Sequence, residues 1–338
     1  MPTQNNAGQG IVARVMQHPA FPMSALTVAL IILPFVNPSI YLSTDLLIFA
    51  ILALGYNFIF GHMGFISFGH CMFFGLGAYT TGLVLVNVYE GLSVLLFGAV
   101  VATFFAVIIG YVCLKKFGPG TDPSYLALTT LAFSQMFYFL VWSPLAPITG
   151  GSDGLLAVPT PPVAIPGIFS FSLDDPYRLY FFVMVVFLVC AWIIKRILYS
   201  PFGRVIHGIR ENELRVSFLG YDTFKYKLIA FALSGFFGGV AGSVYAIRMN
   251  YVGMETFHWL LGGEIIIMCL IGGMRTVWGP LVGSIIFWGI KDYISAEIQE
   301  WMGFIAVILI GTVLFMPMGV WDKIVKIAER IFKFKIRR

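Results

Sequence analysis

The chain has 338 residues, 59% of them hydrophobic and only 11% charged, with a formal net charge of +5. Soluble domains carry about 25% charged residues, so the composition excludes a water-soluble globule and points to an all-α polytopic integral membrane protein. The positive charge is no nucleic-acid signature, because the basic residues gather in a few loops and at the C-terminus, as membrane topology requires. Cys71, Cys113, Cys190 and Cys269 all sit inside apolar runs without metal or redox spacing, and are assigned to packing.

The first twenty residues lack an apolar core and an A-x-A site. No cleaved signal peptide is expected, and 1–21 is assigned to a cytoplasmic N-terminal segment. A membrane-crossing helix needs about 20 mostly apolar residues. Ten segments qualify, near 22–42, 43–61, 65–88, 91–114, 124–145, 178–198, 225–247, 258–273, 277–291 and 301–317. Several are short or glycine-rich, so about ten transmembrane helices are expected, some of them broken or re-entrant, in a membrane domain over 22–320. A cytoplasmic N-terminus puts Lys115, Lys195, Arg196, Arg204, Arg210, Arg215, Lys225, Lys227, Arg275 and the tail from Lys323 inside. It leaves Asp153, Asp174, Asp175, Arg178, Arg248, Glu255, Lys291, Asp292, Glu297 and Glu300 outside. An even number of spans with both termini inside satisfies the positive-inside bias.

Residues 55–79, GYNFIFGHMGFISFGHCMFFGLGAY, concentrate glycine with Asn57, His62, Ser67 and His70. So many glycines make a poor continuous helix. Broken backbone in a membrane survives only where protein or a water-filled cavity satisfies it. Transporter sites use that combination, while close helix packing through small residues explains the same glycines. The loop 146–177, rich in Pro and Gly, falls outside and is either a docking or lid surface or a floppy insertion.

Residues 199–224 form a charged island between two apolar runs. Ser200 followed by Pro201 is a helix-start signal and Gly220 a stop. Leu214 and Phe218 share one helical face with Tyr221 near it. An amphipathic cytoplasmic helix docks in a partner's groove or lies on lipid; Glu211 and Glu213 disfavour anionic lipid, so a partner is preferred. Further on, Gly235/Gly239 and Gly238/Gly242 form interleaved G-x-x-x-G pairs, favouring helix packing. Glu264 lies near the start of an apolar run, as a functional intramembrane charge or a solvated interfacial one. The tail 321–338 is a basic amphipathic helix, with Ile324, Ile327, Ile331 and Phe334 at helical spacing, suited to the inner leaflet. No phosphate loop, H-E-x-x-H or G-x-S-x-G occurs, so no enzymatic activity is expected of the chain itself.

GHMGFISFGHCMFFGLGAYTTGLVL (61–85), SPFGRVIHGIRENELRVSFLGYDTFKYKLIAFALSGFFGGVAGSVYA (200–246) and GGEIIIMCLIGGMRTVWGPLVGSIIF (262–287) resemble the membrane permeases of branched-chain amino acid ABC importers, the LivM-type subunit. The resemblance runs from about residue 40 to 320. It implies the ABC importer permease fold in the inner membrane of a bacterium. It also implies a LivH-type partner permease, two ATP-binding cassette subunits that hold ATP and Mg, and an extracytoplasmic binding protein; no cofactor is expected on this chain. The island is then similar to the coupling loop of importers, implicating Arg210, Glu211, Asn212, Glu213, Leu214, Arg215, Phe218, Leu219 and Gly220. It meets the E-A-A-x-x-x-G pattern only in part, since Leu214 stands six residues before Gly220 and the acid is Glu213. For the route, Asn57, Phe65, Ser67, Phe68, Gly69 and His70 are expected to line it with the helix carrying Glu264, the phenylalanines gating by dewetting. The substrate implied is a branched-chain or other hydrophobic amino acid. Urea, short amides or another small solute are alternatives within the family, and a self-standing channel or secondary transporter is the alternative outside it.

Overall fold

A computed structural model describes residues 21–37, 39–88, 91–115, 124–165, 169–295, 301–316, 319–325 and 327. The helices longer than one turn are α1 (Phe21–Val36), α2 (Ile40–Phe60), α3 (Cys71–Asn87), α4 (Val94–Lys115), α5 (Ser124–Trp142), α6 (Pro176–Leu198), α7 (Pro201–Phe218), α8 (Thr223–Met249), α9 (Trp259–Gly272), α10 (Gly279–Ser295) and α11 (Trp301–Phe315). Five of them, α2, α4, most of α5, α6 and α8, are long and apolar enough to cross a membrane, and α3 and α9 are shorter apolar helices. One feature departs from a purely helical chain. Within the long loop, β1 (Val163–Ile165) pairs antiparallel with β2 (Phe169–Phe171), Val163 opposite Phe171.

Two expected segments are redrawn. The span placed at 22–42 ends at Val36, where the Asn37 N–H caps back to the Leu33 carbonyl and its side chain donates to Ser43 Oγ at 2.9 Å. The span placed at 65–88 begins only at Cys71, because turns and irregular backbone replace the helix between Gly61 and His70. The 17-residue α3 is about 26 Å long, short of the roughly 30 Å hydrocarbon thickness.

The bundle is organised around α2, apolar all round and buried from Ser43 to Phe60. Beside it runs α8, which packs on α4, α3 and α2. Asp45 at the start of α2 pairs with Arg248 at the end of α8, 3.0 Å apart. At the other end Lys227 of α8 lies over the Phe65 ring, so the two helices are antiparallel. Tyr111 at the end of α4 meets Phe224 at the start of α8. One end of the bundle thereby collects Lys115, Lys195, Arg204, Arg210, Lys225, Lys227 and Arg275. The opposite end holds Asp45, Asp174, Asp175, Glu255 and Asp292 together with Arg178, Arg248 and Lys291. At this second end the long loop is pinned: Leu155 and Val252 exchange both backbone hydrogen bonds, and the Val158 N–H donates to the Asn250 carbonyl. Val158 and Leu173 are buried, so these parts of the loop are packed.

Candidate coupling face and buried helix break

The charged island folds as two helical pieces. Ser200 caps α7, its Oγ accepting from the Gly203 N–H, with Pro201 at the first position. Gly203, Ile206 and Ile209 face inward at every third residue. Asn212 then leaves helical geometry (φ −162°, ψ 101°), and its Oδ1 accepts from the Arg215 N–H at 2.9 Å. Asn212 is thus the N-cap of a second short helix, ended by Gly220 in the left-handed region (φ +88°). On that helix Val216 is buried while Phe218 is 86% and Leu219 71% exposed, with Leu214 and Tyr221 also exposed.

Glu213, implicated in coupling by the resemblance, points toward the bundle. Its Oε1 lies 2.6 Å from Lys227 Nζ and accepts from Thr223 Oγ1 at 2.9 Å. Lys227 is almost fully buried. This pair straps the short helix to the foot of α8. The sequence signal for it was an acid and a lysine flanking the Gly220 turn. Arg210 also turns toward the bundle, its stem against Gly64, whose φ of +85° requires glycine. Glu211, Asn212 and Arg215 are exposed.

The break at 61–70 lies beneath this face. The Ile59 carbonyl at the end of α2 accepts from the N–H groups of both Met63 and Phe65, and the Ser67 N–H donates to Tyr56 Oη. Ser234 Oγ of α8 donates to the Gly55 carbonyl at 2.6 Å. That uses its one proton, so His70 Nε2, 2.8 Å away, is the donor to Ser234. Nδ1 of His70 then accepts from Ser67 Oγ at 2.9 Å. Asn57 Nδ2 donates to the Thr276 carbonyl, and a Cβ on Gly69 would fall 2.1 Å from the Thr130 carbonyl oxygen. Asn57, Ser67, Gly69 and His70 are therefore buried and engaged within the subunit, whereas Phe65 and Phe68 are half-buried.

Residues 39–315 match the model of the family described as branched-chain amino acid transport system / permease component. The chain belongs to this family. It is 26% identical over 322 residues to the high-affinity branched-chain amino acid transport system permease protein LivM of Salmonella typhimurium, covering 88% of this chain and 72% of that one. The LivM protein of Escherichia coli is likewise 26% identical over 320 residues, with the same coverage. The LivH permease protein of Escherichia coli is 23% identical over 296 residues, 80% of this chain and 90% of its own. No solved structure matches the chain.

In this permease component the glycines of α8 sit at close approaches. A Cβ on Gly235 would come within 2.4 Å of Ala106 Cβ, and one on Gly239 within 2.5 Å of Ala102 Cβ, both on α4. Gly242 meets the Phe74 carbonyl and Gly238 the Phe73 side chain, on α3. Helices in lipid associate through such close packing rather than through a hydrophobic force. Glu264 of α9 is 2.8 Å from Lys291 of α10, toward the acidic end, and the Lys291 ammonium stands 4.4 Å from the centre of the Trp288 ring.

Proposed function

We infer that this permease subunit passes branched-chain or other hydrophobic amino acids inward, in a complex with a LivH-type partner permease, two ATP-binding cassette subunits and an extracytoplasmic binding protein. ATP and Mg reside on the cassette subunits. The observation that carries the reading is the short helix after Asn212, with Leu214, Phe218 and Leu219 exposed on a charged, non-membranous segment. In this reading 199–224 is the cytoplasmic coupling loop and Phe218 its central anchor. The membrane domain covers 22–320 with about ten spans. The basic end faces the cytoplasm, with both termini on that side; the 146–177 loop faces outward. Most of the tail 321–338, and residues 1–20 of the N-terminal segment, lie outside the described residues. The relatives' names, which specify branched-chain amino acid transport, support the substrate class.

The route runs past the break at 61–70. Phe65 and Phe68 supply its movable apolar constriction, and Asn57, Ser67, Gly69 and His70 hold the broken backbone in shape from behind. The test is ATP hydrolysis by the co-purified complex in lipid discs, with leucine-loaded binding protein added. Stimulation by the loaded binding protein, lost on Phe218→Asp, supports the reading. Uptake that proceeds without the cassette subunits overturns it.

A further inference from the structure

Three contacts join the charged island to the first half of the helix break. The His207 and His62 rings meet edge to face, 5.3 Å between centres. The stem of Arg210 packs on Gly64, where a Cβ would lie 3.1 Å from Arg210 Cγ. Glu213 Oε1 is 2.6 Å from Lys227 Nζ. The same ammonium stands over the Phe65 ring, 5.6 Å from its centre, within reach of a cation–π attraction. His207, Arg210 and Glu213 recur every third residue, so one side of the island follows residues 62–65.

The second half of the break is tied elsewhere. The Ser67 N–H donates to Tyr56 Oη on α2, His70 bonds Ser67 and Ser234 of α8, and Gly69 packs on the Thr130 carbonyl of α5. None of these partners belongs to the island. In the first half, the N–H groups of Met63 and Phe65 keep the main chain on the Ile59 carbonyl. What the island can shift there is therefore side chain, and the half-buried Phe65 ring is the one that touches its ion pair.

We propose that Lys227 is a positioning residue that links docking to the constriction. Its ammonium holds the Glu213 carboxylate and the Phe65 ring at once, so a displacement of the docking helix repositions the ring. The proposal rests on the reading of 199–224 as the coupling loop and of Phe65 as part of the constriction. Two physical features make the link work. The Lys227 side chain is 3% exposed, and parting the pair would strand a buried charge, so ammonium and carboxylate move together. The four-carbon stem is flexible while its root is fixed on α8, so the ammonium follows Glu213 without α8 having to move.

The test uses the whole complex in lipid discs, with 4-fluorophenylalanine in place of Phe65. Its ¹⁹F signal is compared with and without a non-hydrolysable ATP analogue, and leucine imported per ATP hydrolysed is measured in vesicles. The variant is Glu213→Gln with Lys227→Met. Removing both charges avoids a stranded one, and the amide oxygen still accepts from Thr223. In wild type the signal should move with the analogue. In the double variant, with cassette subunits retained, the movement and the leucine-to-ATP ratio should both fall about fivefold or more. Lys227→Arg, which keeps the cation, should keep the wild-type ratio. A merely structural strap gives another pattern: a lower unfolding midpoint and fewer retained cassette subunits, with ratio and signal movement unchanged in the complexes that remain. That pattern overturns the proposal. So does a wild-type signal indifferent to the analogue, whether or not the double variant folds. Wild-type chain that retains no cassette subunits overturns the coupling reading itself, and the link with it.

Discussion

Two surfaces of this permease expose large apolar side chains, and they are built for different surroundings. On α4, Leu96, Phe97, Val100, Phe104 and Ile108 point outward from a helix whose one charge, Lys115, stands at its very end. That face suits lipid along its whole length. On the short helix after Asn212, Phe218 and Leu219 are more exposed and Leu214 is comparable, but Arg210, Glu211 and Arg215 flank them within a few residues. The hydrocarbon core does not accommodate that mixture without a cost in charge burial. Exposed apolar area therefore does not say what covers it; the charges around it do.

The comparison breaks most sharply under charge. Phe104→Asp places a carboxylate on the lipid face of α4 and should cost about 2.5–3.5 kcal/mol on insertion scales. Little Phe104→Asp protein should reach the membrane fraction. Phe218→Asp should leave membrane-inserted protein at the wild-type level while uptake falls at least about tenfold and cassette subunits no longer co-purify, since hot-spot anchors carry about 2 kcal/mol or more. Equal insertion of both variants would mean that the α4 face meets protein. Normal uptake with Phe218→Asp would remove the docking assignment.

Inside the bundle, Gly239→Val should be the next largest effect. The new Cβ lies 2.5 Å from Ala102 Cβ and 2.9 Å from Ala99 Cα, so α8 and α4 must separate. Overpacking of this kind costs about 1–3 kcal/mol, read as a lower unfolding midpoint in detergent. A midpoint equal to wild type would mean that α4 moves freely against α8, and that the two apolar faces of α4 are less distinct than described.

Much of this was legible in the sequence. Ser200-Pro201 and Gly220 announce the ends of the island because capping and left-handed turns depend on local residue type alone. The small-residue face of α8 was visible for the same reason: spacing of four residues is a property of one helix. The helix break at 61–70 was legible as a glycine excess, though not its bounds. Other features were not readable, because they depend on residues far apart in the chain. Glu213 looks like a surface acid until Lys227 is brought under it, and His70 looks like a solute contact until Ser234 meets its ring. The long loop looked equally like a floppy insertion, since nothing local marks Val252 as the partner of Leu155.

Glu264 sharpens the contrast between buried and interfacial charge. It pairs with Lys291, and both side chains keep some exposure, 15% and 22%. As a structural pair, Glu264→Gln alone should lower the unfolding midpoint more than the double change Glu264→Gln with Lys291→Gln, because the single change takes the partner carboxylate from a part-buried lysine charge. Uptake should be kept in the double variant. Loss of uptake in the double variant at an unchanged midpoint would instead put Glu264 on the route.

The smallest effect belongs to Asp222, the cap of α8 beside the proposed docking helix. Its Oδ1 accepts from the Lys225 N–H at 3.2 Å and its Oδ2 lies 3.0 Å from Lys225 Nζ. The hydrogen bonds from the Lys225 side chain and then its backbone hold the carboxyl below the usual carboxylate range. A folded-state pKa below the unfolded value means that the stabilisation is fully present above about pH 4 and is lost as pH falls through the folded value. Asp222→Asn keeps an acceptor for the N–H and removes only the charge. At pH 7 it should therefore lower the midpoint slightly, and the difference should vanish both in strong acid and at high salt, where an exposed pair is screened. A drop as large as that of Gly239→Val, or one indifferent to salt, would show that Asp222 is held by something other than its own helix start, and that the docking helix is anchored there as well as through Glu213.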